Sequence, residues 1–118
     1  YGVDSYKHLT ENIKAFGLAE FVKTVSLYSH EVIEEHEPHE TRWYDNIKML
    51  FIDGNHEYTA VKQDYDIWEK QVVKHGLLCF HDNNEDGPQQ VIAEATATSK
   101  WHKLMTADSL TVLRKEVC

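Results

Sequence analysis

Two apolar runs, Ile47 to Ile52 and Leu77 to Phe80, each stop abruptly at polar residues. The first ends in Asp53-Gly54-Asn55-His56 and the second in His81-Asp82-Asn83-Asn84. The first run alternates little, which predicts a strand covered on both faces. Between them Val61, Tyr65, Trp68 and Val72 form one stripe at helical spacing. They predict a helix over 59–75, capped by Thr59 and closed by Gly76. Leu9, Ile13 and Phe16 predict another over 6–16, with Asp4 or Ser5 at its start and Gly17 at its end. Tyr1-Gly2-Val3-Asp4 reads as the tail of a strand and Phe21 to Ser26 as a further strand. Ser29 to His36 reads as a short helix, with Pro38 beyond its end, and Glu37 to Asn46 as a polar loop. Pro88 suits the first turn of a helix that runs to about Thr98. Trp101 to Thr106 and Leu110 to Lys115 are the last strands. Ala107-Asp108-Ser109 joins them closely enough for an antiparallel hairpin.

The order β-α-β-α-β-α-β-α-β-β predicts an α/β fold with a mostly parallel sheet, ending in an antiparallel hairpin. In such sheets ligands bind in the crevice outside the carboxyl ends of the strands. The two polar strand tips are therefore the candidate site. With 118 residues the chain suffices for one domain, 1–118, with a modest core. A formal net charge of −8 argues against a nucleic-acid partner. No apolar run approaches the roughly 18 residues that cross a bilayer. Cys79 and Cys118 do not make a disulfide framework, and a reducing cytoplasm is the expected compartment.

Each candidate has a plainer reading. Asp53 begins Asp-Gly-Asn, which is good turn chemistry, but an acid at a buried strand tip needs a partner. Asp82-Asn83 either starts a loop or contacts a ligand. His81 is a core histidine bonded to a carbonyl or a site residue. His30, His36 and His39 are spaced poorly for one helical face and read as a solvated acidic loop rather than a zinc cluster. Asp4 and Ser29 are both good helix N-caps.

These landmarks together resemble the class I S-adenosylmethionine-dependent methyltransferases. Phe51-Ile52-Asp53-Gly54-Asn55-His56-Glu57-Tyr58 looks like the FIDGDHSY signature of a bacterial family within that class. Gly76-Leu77-Leu78-Cys79-Phe80-His81-Asp82 is similar to its GG…FHD stretch, and Leu110 to Lys115 to its last strand. The resemblance implies a Rossmann-like methyltransferase sheet. It also implies methyl transfer from S-adenosylmethionine to an oxygen of a small-molecule acceptor. In the related metal-dependent O-methyltransferases an acid ends the fourth strand and an Asp-Asn pair ends the fifth. That likeness implies Asp53, Asp82 and Asn83 as ligands of Mg²⁺. A catalytic base three residues beyond the fourth-strand acid corresponds to His56, with Asp53 beside it. Ser29 and His30 fall where that type contacts the adenine. Asp4 matches the acid that accepts the ribose hydroxyls, and Asp53 also faces the cofactor.

The chain departs from the pattern in four places. No glycine-rich loop is present, and the sequence starts at the family's second strand. Leu27-Tyr28 stands where many relatives place an acid, and Asn55 replaces the second acid of the signature. The missing first strand is expected from upstream residues, from direct pairing of the second and fourth strands, or from a partner chain. The alternative to an enzyme is a non-catalytic methyltransferase-like remnant. It would bind a nucleoside or a protein, or form a homo-oligomer through an unpaired strand edge.

Overall fold

The structure, a computed structural model, describes residues 3–22, 29–34 and 45–117. The chain divides into two compact units, Tyr1–Glu35 and His36–Cys118. The first contains helices α1 (Val3–Ala15) and α2 (Ser29–Glu34). Val3 and Asp4 are thus helical, where a strand tail was expected; Asp4-Ser5 supplies helix-starting rather than strand chemistry. The exit of α1 follows the expectation. Gly17 adopts φ 69°, Leu18 N–H reaches the Ile13 carbonyl at 2.9 Å, and Gly17 N–H that of Lys14 at 3.2 Å. This is the Schellman closure that glycine permits without a Cβ penalty. Phe21 and Val22 lie in a turn and its exit, and 23–26, the rest of the expected strand, fall outside the described residues. So do Leu27-Tyr28 and His36 to Tyr44.

Among the described residues the second unit is a four-stranded sheet with two α-helices. Its elements are β1 (Ile47–Ile52), α3 (Tyr58–Trp68), a 3₁₀ turn (Glu69–Gln71), β2 (Val72–Phe80), α4 (Asp86–Thr96), β3 (Trp101–Ala107) and β4 (Leu110–Lys115). The order across the sheet is β1-β2-β4-β3. Only β1 and β2 pair in parallel; β4 returns through the hairpin and inserts between β2 and β3, antiparallel to both. Among the described residues the sheet is therefore mixed, not mostly parallel. The hairpin lies where the sequence put it, with Asp108 at φ 51°, a conformation that aspartate tolerates.

The helix after the first tip ends seven residues early. Val72-Val73 is β-branched and joins the sheet, so β2 starts at Val72 rather than at Leu77. Gly76 then serves the strand rather than a helix cap. The β1–β2 register slips between Ile47 and Met49, and His75 takes φ 69°. A Cβ on Gly76 would lie 2.6 Å from Val72 Cγ1 and 2.8 Å from the Val73 carbonyl, so only glycine fits this bulge. The N-cap of α3 is Glu57, not Thr59.

Ile52, Val61, Tyr65, Leu78, Phe80, Val91, Ala95, Trp101 and Leu113 form the core, and Phe80, Leu78 and Leu113 are fully buried. Each such large side chain contributes about 1.5–3 kcal/mol. The other expectation for β1, burial on both faces, is corrected: Met49 is 61% and Phe51 48% exposed. Beneath the core, buried Lys115 donates Nζ to the carbonyls of Glu69 (2.9 Å) and Val72 (2.7 Å). It thereby satisfies the backbone where the helix turns into β2. No helix among the described residues is long and apolar enough to cross a membrane.

Tyr65 carries a testable consequence. Burial, with the Glu69 carboxylate second, pushes its phenol up to about 12 from an ordinary value of 10.0. The folded state thus holds that proton to higher pH than the unfolded chain does. The resulting stability is whole below about pH 10 and is lost as pH rises toward 12. Urea melts should show wild type losing stability between these limits more steeply than Tyr65→Phe. Equal slopes would refute the assignment.

Candidate functional site

Both strand tips open on the same end of the sheet because β1 and β2 are parallel and in register to their last residues, Ile52 and Phe80. One further hydrogen bond, His81 N–H to the Ile52 carbonyl at 3.2 Å, carries the pairing past the strands. Beyond it the chain leaves β1 through Asp53-Gly54-Asn55-His56 and enters α3. Asn55 Oδ1 accepts the Glu57 N–H at 2.8 Å, an Asx turn that sets the exit angle. Asp82 sits at φ 56°, in the left-handed region. Aspartate adopts this conformation more readily than most residues, so the turn forms here without glycine.

Four side chains meet here. His56 Nε2 lies 2.6 Å from Asp82 Oδ2. His81 Nδ1 lies 3.2 Å from Asp53 Oδ1 and 3.2 Å from Asp82 Oδ2. Ligand atoms of Asp53, His81 and Asp82 all fall within 4.8 Å of one another. A carboxylate only accepts hydrogen bonds, so Asp82 fixes the proton of neutral His56 on Nε2 and leaves Nδ1 as the basic nitrogen. His56 is about half exposed, so a ligand can reach it.

Asn83 does something else. Its Nδ2 donates to the Asp108 carbonyl (3.2 Å) and to Thr111 Oγ1 (3.0 Å), and its N–H to the Ser109 carbonyl (3.0 Å). Its amide group is thus turned to the β3–β4 hairpin and ties that hairpin to the second tip. His81 is the residue that joins Asp53 and Asp82. It is not the carbonyl-bonded core histidine of the plainer reading, since its ring is 40% exposed.

The other expected contacts lie in the first unit. Asp4 stands in the first turn of α1 and not at a strand end. Ser29 opens α2 and is half-buried, with His30 next to it. The side chains of Asp4 and His30 fall outside the described residues.

An open cleft of about 550 Å³ lies beside His56, between segment 55–58 and the first turn of α4. Glu57, Glu85 and Asp86 give it an acidic rim. Its floor depends on Gly87, where any Cβ would overlap the His56 carbonyl oxygen. The start of α3 is tied to α4 by Tyr58, whose hydroxyl donates to Glu94 at 2.7 Å. That bond to a carboxylate holds the Tyr58 phenol above its ordinary pKa.

The sequence reading missed Gly87 and the hairpin residues Asp108, Ser109 and Thr111. Only Gly87 left a signal, as a glycine in the first turn of a helix, where it weakens the helix and needs a packing reason.

A family model described as a methyltransferase domain matches residues 1–83. The match takes in both tips, from Asp53 and His56 through Asp82 to Asn83. The chain therefore belongs to that methyltransferase-domain family, whose chemistry is methyl transfer.

Proposed function

We propose that the chain transfers a methyl group from S-adenosylmethionine to an oxygen of a small-molecule acceptor held at the tips of β1 and β2. The observation that carries this reading is the His56–Asp82 pair, 2.6 Å apart across the two tips beside an open cleft. An acceptor hydroxyl must lose its proton as its oxygen takes the methyl group. His56 Nδ1 receives that proton, while Nε2–H stays on Asp82, which holds the ring and stabilises the imidazolium that forms. Such a base contributes about 10²–10⁴-fold. S-adenosylmethionine, the usual donor of such domains, supplies an activated methyl group when bound. Asp53 is its proposed partner at the strand tips.

Magnesium fits these residues poorly. It favours an all-oxygen, octahedral set. The Asn83 amide bonds the hairpin, and an imidazole stands between the two carboxylates instead. No step is assigned to Mg²⁺.

A second reading, a non-catalytic binding or oligomerisation module, is favoured by the exposure of Met49 and Phe51 on β1. Two measurements separate the readings. Calorimetry with S-adenosylhomocysteine tests the donor site. Transfer of a labelled methyl group to a panel of phenols, catechols and sugars tests the chemistry. The enzyme reading expects binding and O-methylated product, with His56→Ala slower by about 10²–10⁴-fold at unchanged affinity for the homocysteine analogue. Full turnover in His56→Ala would sink the base assignment. A dimer that binds no analogue would establish the module.

A further inference from the structure

The geometry points to a divalent transition-metal site made by Asp53, His81 and Asp82, with one nitrogen and two oxygen donors. It rests on reading the two strand tips as one functional site.

Three observations carry it. The first is spacing. Two donors about 2.1 Å from one ion, at angles between octahedral and tetrahedral, lie roughly 3.0–3.4 Å apart. His81 Nδ1 is 3.2 Å from each carboxylate oxygen. The second is an unmet need. His81 Nδ1 is shut off from solvent, yet it makes no hydrogen bond among the described residues. Both carboxylate oxygens lie off the line that a ring N–H would require. A buried polar atom without a hydrogen bond calls for an explanation, and an ion is one of the few available. The third is the opposite edge of the ring. His81 Nε2 lies 3.4 Å from Ser109 Oγ. A proton on Nε2, turned to the serine, leaves the Nδ1 lone pair facing the two acids. Ligating histidines are oriented in this way, with the second nitrogen donating to a fixed partner.

The donor set selects the ion. Carboxylates alone suit magnesium and manganese, whereas imidazole favours later divalent metals such as Fe²⁺, Ni²⁺ and Zn²⁺. Asn83, with its amide on the hairpin, takes no part. His56 bonds Asp82 from outside the triad, as a neighbour of a ligating carboxylate. The competing arrangement is a protonated His81 bridging two acids with no metal.

The test uses Mn²⁺ as probe on chelator-stripped full chain. Calorimetry should give one Mn²⁺ per chain, displaced by Zn²⁺ that binds at least about tenfold more tightly. Electron spin-echo modulation should show a ¹⁴N coupling to the bound ion. His81→Gln should remove the coupling and weaken binding by at least roughly 10–100-fold. Asn83→Ala and His56→Ala should keep the coupling, with circular dichroism confirming that each variant is folded. Should His81→Gln not fold, the ¹⁴N signal of His56→Ala decides alone. No coupling in the wild type, unchanged affinity in His81→Gln, or tighter Mg²⁺ binding lost in Asn83→Ala would overturn the proposal. The last result would restore the all-oxygen site and leave the methyltransferase reading intact. Absence of any ion binding, with turnover still dependent on His56, would also overturn only the metal site. Manganese bound through nitrogen without binding of S-adenosylhomocysteine would keep the site and sink the methyl-transfer reading.

Discussion

Replacing Asp82 by asparagine is expected to slow methyl transfer by about 10²–10⁴-fold while leaving the fold intact. Asparagine is the informative choice because it tolerates the left-handed backbone that Asp82 adopts, φ 56°, whereas most residues do not. The volume is kept and only the chemistry changes. A carboxylate at 2.6 Å from His56 Nε2 can only accept. An amide can present its NH₂ instead, which favours the tautomer with the proton on Nδ1. The histidine then has no lone pair for the acceptor hydroxyl. Turnover at neutral pH, with the ¹⁵N shifts of His56 reporting its tautomer, checks the prediction. Activity within about threefold of wild type, with the proton moved to Nδ1, would show that His56 is not the base.

Gly87→Ala should be the most damaging single methyl group in the second unit. A Cβ at this position would overlap the His56 carbonyl oxygen and lie 2.9 Å from both the His56 carbonyl carbon and the Tyr58 nitrogen. All three are backbone atoms and cannot rotate aside. Either the first turn of α4 opens or segment 53–57 moves away from Asp82. Overpacking of this kind costs about 1–3 kcal/mol, which for a unit of this size lowers the melting temperature by roughly 4–8 °C per kcal/mol. Activity should fall further than the folded fraction does, since displacing a reacting group by about 1 Å costs on the order of 10²-fold. Gly54→Ala is the control. Its Cβ would meet only Asp64 Oδ2, at an ordinary 3.8 Å, and it should melt close to wild type. Equal melting temperatures in the two variants would mean that the close approach at Gly87 does not constrain the loop.

What the sequence revealed, and what it hid, follows from where the information sits. The strand tips were legible because an apolar run ending in Asp-Gly or His-Asp marks a change of environment within a few residues. The hairpin was legible from its short connection, and α4 from Pro88. Pairing was not, because β4 is neighbour to β2 only through contacts about 35 residues apart, such as Leu78 with Leu113. Helical periodicity misled at Val72, whose burial suits a helix stripe and a central strand equally. Gly76 misled for the same reason: a glycine ends a helix or makes a bulge, and only the partner strand decides. At the site, Asp53, His56 and Asp82 were named as candidates and are found together. His81 was a candidate as well, but the turning of the Asn83 amide toward the hairpin was hidden, because it depends on the carbonyl of Asp108 and the hydroxyl of Thr111 drawing the amide away.

The position of β4 has a bearing on how the protein is made. Every residue of both tips leaves the ribosome before Leu110 to Lys115, the strand that lies beside β2 and whose hairpin holds Asn83. A nascent chain that has reached Asn83 carries all the motif residues but not the partner that fixes the second tip. Pairings of long sequence separation form late and slowly. The chemistry of this fold is therefore competent only once β4 has been made, and loss of Leu110 to Lys115 would silence a site in which no tip residue had changed.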